Sequence, residues 1–165
     1  MNLVIADANI FIDLESGEIL DLLFQCDFVV GVPSLLYHDE LKEHHSHLLK
    51  LGLELFELGP EAIERSIRLE PIYKRTSAHD RSALCLAESE DCPLITGDRH
   101  LREAATSEGL KVYGTLWVGE QFYKRGLMSI PALEEAYRKM ASSHRRLPDD
   151  KIREQLKRLR SAHRP

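Results

Sequence analysis

The chain has 165 residues, enough for one domain and for burying about two-thirds of the surface its unfolded form exposes. Hydrophobic residues make up 43% and charged residues 30%, an ordinary soluble balance, and no apolar run approaches the ~20 residues of a membrane-spanning helix. The formal charge of −5 splits unevenly: residues 144–165 carry eight Lys/Arg against three Asp/Glu, and the rest of the chain is strongly acidic.

In chain order, residues 2–6 (NLVIA) read as a buried strand running straight into Asp7, and an amphipathic helix follows from near Asn9. No basic and apolar leader precedes this strand, so no signal peptide is expected. Residues 19–26 read as a helix and 28–32 (FVVGV) as a strand stopped by Pro33, after which Ser34 can cap a helix through residues 35–45. Residues 53–58 alternate as a strand up to Gly59-Pro60, and 61–75 are helix-like, with Pro71 bending or ending the run. Residues 78–89 predict a helix, 93–96 (PLIT) a short strand, 99–109 a helix closed by Gly109, and 111–114 a strand. Three helices follow, over 115–126, 131–143 and 150–161, the last with Ile152, Leu156 and Leu159 on one stripe.

Cys26, Cys85 and Cys92 lack C-x-x-C spacing and read as reduced thiols of a cytoplasmic protein. His44, His45 and His47 lack a matching Cys pair and read as a solvated helix end rather than a zinc site. There is no G-x-S-x-G elbow, no P-loop and no dinucleotide-binding glycine pattern.

Strands alternating with helices argue for an α/β fold with a parallel sheet covered on both faces, and such sheets bind ligands outside the carboxyl ends of their strands. Acidic residues gather in those places. Asp7 ends the first strand and Asp98 follows the strand PLIT. Each also reads as a helix cap. Asp80 opens the helix 78–89, with Ala83, Leu84 and Ala87 behind it on the core-facing stripe; its alternative is a capping box with Ser77. Glu40 and its neighbour Asp39 lie on the helix after the second strand, and spacing does not choose between them. Clustered carboxylates repel unless a cation stands between them, and hard oxygen donors suit Mg²⁺ or Mn²⁺. The matching chemistry is phosphodiester hydrolysis.

In the order IADANIFIDL, SLLYHDELKE, SAHDRSALCLAE, LITGDRHLREAA, these segments resemble a PIN domain, the nuclease fold of VapC-type toxins. The resemblance covers roughly residues 1–126, and the following segment YGTLWVGEQFYKRGLMS is similar to a branch of prokaryotic PIN proteins. It implies a three-layer fold with a central parallel sheet and helices on both faces. It also implies four catalytic acids, Asp7, Glu40, Asp80 and Asp98, with the apolar Leu41 selecting Glu40 over Asp39. Asp7, Asp80 and Asp98 would hold the metal, Mg²⁺ or Mn²⁺. Asn9 would orient Asp7, and Thr96 would meet water or phosphate. The pattern departs at Gly97, where Asn or Asp is frequent, and at His100, where some relatives carry a further acid.

The resemblance further implies a cytoplasmic endoribonuclease, the toxin of a toxin–antitoxin module, dimeric and held inactive by a small antitoxin. Residues 1–143 are expected to form the nuclease domain. Residues 144–165 are expected to form a basic amphipathic helix that joins that domain or binds a partner. Arg81 and Arg99, beside two of the acids, are candidates for RNA phosphates, with solvated first-turn residues as the alternative. The competing function is a PIN-fold module that binds RNA or protein without chemistry. A haloacid-dehalogenase-type phosphatase also begins at a strand-end Asp, but its general acid would occupy the place of Asn9.

Overall fold

The computed structural model describes residues 2–163. Five parallel strands form one sheet: β1 (Asn2–Ala6), β2 (Phe28–Pro33), β3 (Glu54–Phe56), β4 (Leu94–Ile95) and β5 (Val112–Tyr113), in the order β3-β2-β1-β4-β5. The architecture is a three-layer α/β fold. β1 is central, with Val4, Ile5 and Ala6 buried, which is why it reads as an unbroken apolar run. The chain builds outward from β1 to β2 and β3, then crosses back to β4 on the other side. The carboxyl ends of β1 and β4 therefore flank the switch point of the sheet, where a crevice opens in this topology.

The helices are α1 (Ala8–Ser16), α2 (Ser34–Leu36), α3 (Lys42–His45), α4 (Leu48–Leu51), α5 (Pro60–Leu69), α6 (Ala78–Ser89), α7 (Arg99–Ser107), α8 (Thr115–Lys124), α9 (Ile130–Ser142) and α10 (Asp149–Ala162). α6 lies across β1, β2 and β4, with α5 and α7 against it, and its residues 83–87 are all buried. α1 packs on α8 and α9. α5 stops at Leu69, two residues before Pro71, as proline chemistry requires. The segment read as a helix over 19–26 is a 3-10 helix, Leu20–Gln25. The helix after β2 is interrupted by a π-helical turn, Tyr37–Leu41, between α2 and α3. Among the described residues no helix is long and apolar enough to cross a membrane.

The C-terminal stripe faces inward. Leu156 and Leu159 are buried, and Gln155 is tied on both sides, accepting from the Tyr137 hydroxyl at 2.5 Å and donating to the Leu116 carbonyl at 2.7 Å. The Tyr137 phenol is pushed well above its usual range, chiefly by burial.

Gly31 leaves no room for a side chain in β2. A Cβ there would lie 2.6 Å from the Phe56 ring and 3.2 Å from Ile5 Cδ1. Gly31→Ala is expected to cost about 1–3 kcal/mol, because the ring has to leave its position over β2. Chemical denaturation checks this, and an unchanged midpoint would mean that Phe56 yields freely.

Candidate active site

Three helices start at the carboxyl edge of the sheet with an aspartate in or beside the first turn. Asp7 caps α1, its Oδ1 accepting from the Ile10 amide at 3.3 Å. Asp98 caps α7 in the same way, its Oδ1 accepting from the Leu101 amide at 2.8 Å. Asp80 closes a reciprocal capping box with Ser77, at 3.0 Å and 2.8 Å. The cap readings of all three are therefore present in the structure. Capping also puts each carboxylate at the positive end of a helix dipole, which lowers the cost of holding several acids on one edge.

Asp7 and Asp98 are joined through one side chain. The Thr96 hydroxyl donates to Asp7 Oδ2 at 2.5 Å and accepts from the Asp98 amide at 3.0 Å. The Asp7 amide also donates to the Ile95 carbonyl at 3.2 Å, extending the β1–β4 ladder to the site. Asn9 Nδ2 reaches Asp7 Oδ2 at 3.4 Å. Asp7 is 1% exposed, and burial pushes its carboxyl up to about 7. The bonds from Thr96, Ile10 and Asn9 pull in the opposite direction, and the negative charge of Asp80 adds to the rise. Thr96 is fully buried with its hydroxyl engaged on both sides. In this geometry it positions the two aspartates.

Glu40 lies on the π-turn, where the Lys42 amide bonds the Tyr37 carbonyl. One-turn π-segments often occur at functional sites, and the extra residue rotates the downstream side chains by part of a turn. Desolvation pushes the Glu40 carboxyl up; nearby His79 lowers it, and the charges of Asp80 and Asp39 raise it further. Asp80 thus acts on both Asp7 and Glu40. Asp39 pairs with the same His79 at 2.9 Å, fastening the π-turn to the start of α6.

The four acids offer only hard oxygen donors, the kind a divalent ion takes. The raised Asp7 carboxyl marks a charge that a cation would stabilise. Among the described residues no three His, Cys, Asp or Glu side chains stand together as a finished metal cluster. Asp7, Asp80 and Asp98 each commit an oxygen to a cap, and the second Asp7 oxygen accepts from Thr96 and Asn9. The donor set fits Mg²⁺ or Mn²⁺ in kind.

Arg81 does not face outward. Its side chain is buried, with Nη1 donating to the Thr76 carbonyl at 2.6 Å, so it braces the loop before α6. Arg99 is exposed and pairs with Glu103 one turn along α7. His45 departs from the solvated cluster: it is buried and bonded to Glu15 at 2.6 Å, while His44 and His47 are exposed.

Sequence reasoning missed Asp13. It is buried on α1, its Oδ2 accepting from the Thr115 hydroxyl at 2.8 Å and its Oδ1 from Arg145 Nε at 2.5 Å. The available signal was an acid four residues after Asn9, hence on the same helical face. Asp13 also explains Gly97, because a Cβ at residue 97 would lie 2.7 Å from its Oδ2. A cleft of about 680 Å³ opens beside this pair, lined by Asn9, Gly97, Asp98, Arg99 and His100 on one side and residues 144–148 on the other.

Residues 3–161 match the family model described as PIN domain (DUF3368). No curated protein sequence matches. Among solved structures, PAE2754 from Pyrobaculum aerophilum is similar at 15% identity and a TM-score of 0.52, over 73% of this chain and 96% of that one. VapBC2 from Rickettsia felis, bound to a DNA fragment from its promoter, is similar at 14% identity and a TM-score of 0.47, over 68% and 98%. A PilT N-terminus domain protein, SSO1118 from Sulfolobus solfataricus P2, is similar at 13% identity and a TM-score of 0.45, over 72% and 90%.

Proposed function

The chain belongs to the PIN-domain family, and from that premise we propose that it is a metal-dependent endoribonuclease hydrolysing RNA phosphodiester bonds. The observation that most supports this reading is the Asp7–Thr96–Asp98 link across the sheet's switch point, with the charge of Asp80 acting on Asp7 and Glu40. Asp7, Asp80 and Asp98 would hold Mg²⁺ or Mn²⁺. When bound, such an ion makes water a better nucleophile at neutral pH and stabilises charge on the phosphate and leaving oxygens. Thr96 and Asn9 hold the Asp7 carboxylate in one orientation. Glu40, the fourth acid, takes up the proton released by the attacking water. Arg99 meets a phosphate oxygen of the substrate. Within this reading the chain is a cytoplasmic toxin that pairs with a second copy and is silenced by a small antitoxin.

The second reading is a PIN-fold module that binds RNA or protein without chemistry. It is favoured by the lack of a finished three-ligand cluster among the described residues. A metal-titrated cleavage assay on a broad RNA panel separates the two. Cleavage that needs Mn²⁺ or Mg²⁺, stops in EDTA and is lost in Asp98→Asn is expected; equal rates for the wild type and that variant would overturn the nuclease.

A further inference from the structure

We propose that the connector between α9 and α10, with Arg146 at its tip, binds the phosphates of single-stranded RNA that flank the scissile bond. This rests on the ribonuclease reading and adds to it a residue set at the far end of the sequence.

Residues 144–148 form one wall of the 680 Å³ cleft whose other wall carries Asn9, Asp98, Arg99 and His100. The connector is held there. Arg145 reaches across to the buried Asp13, and its own amide bonds the Met140 carbonyl at 3.0 Å. His144 turns the chain with a φ of 60°, a conformation uncommon outside glycine. The Arg145–Asp13 pair cancels its own charge. Arg146 and His144 remain exposed, and among the described residues Arg146 makes no ion pair. Across the cleft, Arg99 is 80% exposed and bound only to Glu103 on its own helix, a type of pair worth little.

Cationic side chains thus stand on both walls, Arg99 beside Asp98 on one and Arg146 on the other. A polyanion crossing the cleft satisfies both walls while bringing one phosphate to Asp98, the one of the four acids that lines it. The lining is rich in Arg and holds no Phe, Tyr or Trp, so the contacts go chiefly to the phosphate backbone. Binding through this cleft is accordingly tolerant of sequence and sensitive to salt.

The test is fluorescence anisotropy with the full chain and a labelled, unstructured RNA of about 12 nucleotides in EDTA, across a salt series. Arg146→Glu is expected to weaken binding about tenfold, and Arg146→Ala to reduce the slope of log affinity against log salt by about 0.7. Arg153→Glu makes the same charge change on exposed α10 outside the cleft lining and is expected to stay within about twofold of wild type. Melting temperatures of the two Glu variants verify that both are folded. The proposal is overturned if Arg153→Glu weakens binding as much as Arg146→Glu, if Arg146→Glu binds like wild type, or if the wild type does not bind. Parallel assays with Mn²⁺ keep the two readings apart. Metal-dependent cleavage with binding indifferent to Arg146 removes the connector's role and leaves the nuclease. Arg146-dependent binding without turnover leaves the connector's role and removes the nuclease.

Discussion

Asp7→Asn is expected to lower metal-dependent RNA cleavage by about a thousandfold while making the metal-free protein more stable at neutral pH. Both effects come from the same burial. In the folded chain Asp7 titrates near 7, against 3.8 for an unperturbed carboxyl. The folded state therefore binds a proton more readily than the unfolded state across that interval. Stability associated with this proton is fully present below about pH 4 and lost as pH rises through about 7. Above that, holding Asp7 charged costs on the order of 2–4 kcal/mol, an upper range for a shift of this size. Asn removes the charge and can keep its oxygen on Thr96, but its amide faces the Ile10 N–H, a lost cap worth about 1 kcal/mol. The net gain is about 1–3 kcal/mol near pH 8, shrinks as pH falls and turns into a loss of about 1 kcal/mol near pH 4, where only the lost cap remains. Denaturation midpoints of both proteins in EDTA over this range provide the check. Parallel profiles would mean that Asp7 carries no burial cost, and a cation at this position would lose its electrostatic basis.

How much of this was legible in the sequence depends on the range of each interaction. β1 ending in Asp7 was readable because a central parallel strand buries both faces and so appears as an apolar run. The Asp80 cap was readable from Ser77 three residues earlier, and the α5 terminus from Pro71. These are local effects of side chain on backbone. The π-turn carrying Glu40 has no such code: Tyr37 and Leu41 are buried on either side of it, and one more residue per turn is a tertiary compromise. The first-turn position of Arg81 suggests solvent, whereas the loop carbonyl of Thr76 draws it inward. The contacts of Thr96 have no local code either, since its burial depends on β4 lying between β1 and β5. Residues 144–165 were read as one basic unit. In the structure they divide into an anchored connector and a helix whose Leu156 and Leu159 are buried, and only the return of the chain to α1 makes that division.

Arg145→Ala is expected to destabilise the protein by about 3 kcal/mol, the scale for breaking a buried pair by removing one partner. Its position in the sequence, in an exposed-looking basic stretch, suggests a negligible effect, so the result is diagnostic. The Asp13 side chain is 6% exposed and would keep one polar partner, the Thr115 hydroxyl. Gly97 sits so close to the Asp13 carboxylate that even a Cβ would collide with it. For a chain of this size the loss corresponds to roughly 6–12 °C in melting temperature. Asp13→Asn should cost less, because the freed Arg145 is 28% exposed and can take up water. The double variant should regain a substantial part of the Arg145→Ala loss, since no uncompensated carboxylate stays behind. Strict additivity of the two single losses would show that the charges do not interact and that the connector stays in place for other reasons. Recovery in the double variant would instead establish that a single ion pair, spanning most of the chain, holds the basic wall of the cleft opposite Asp98.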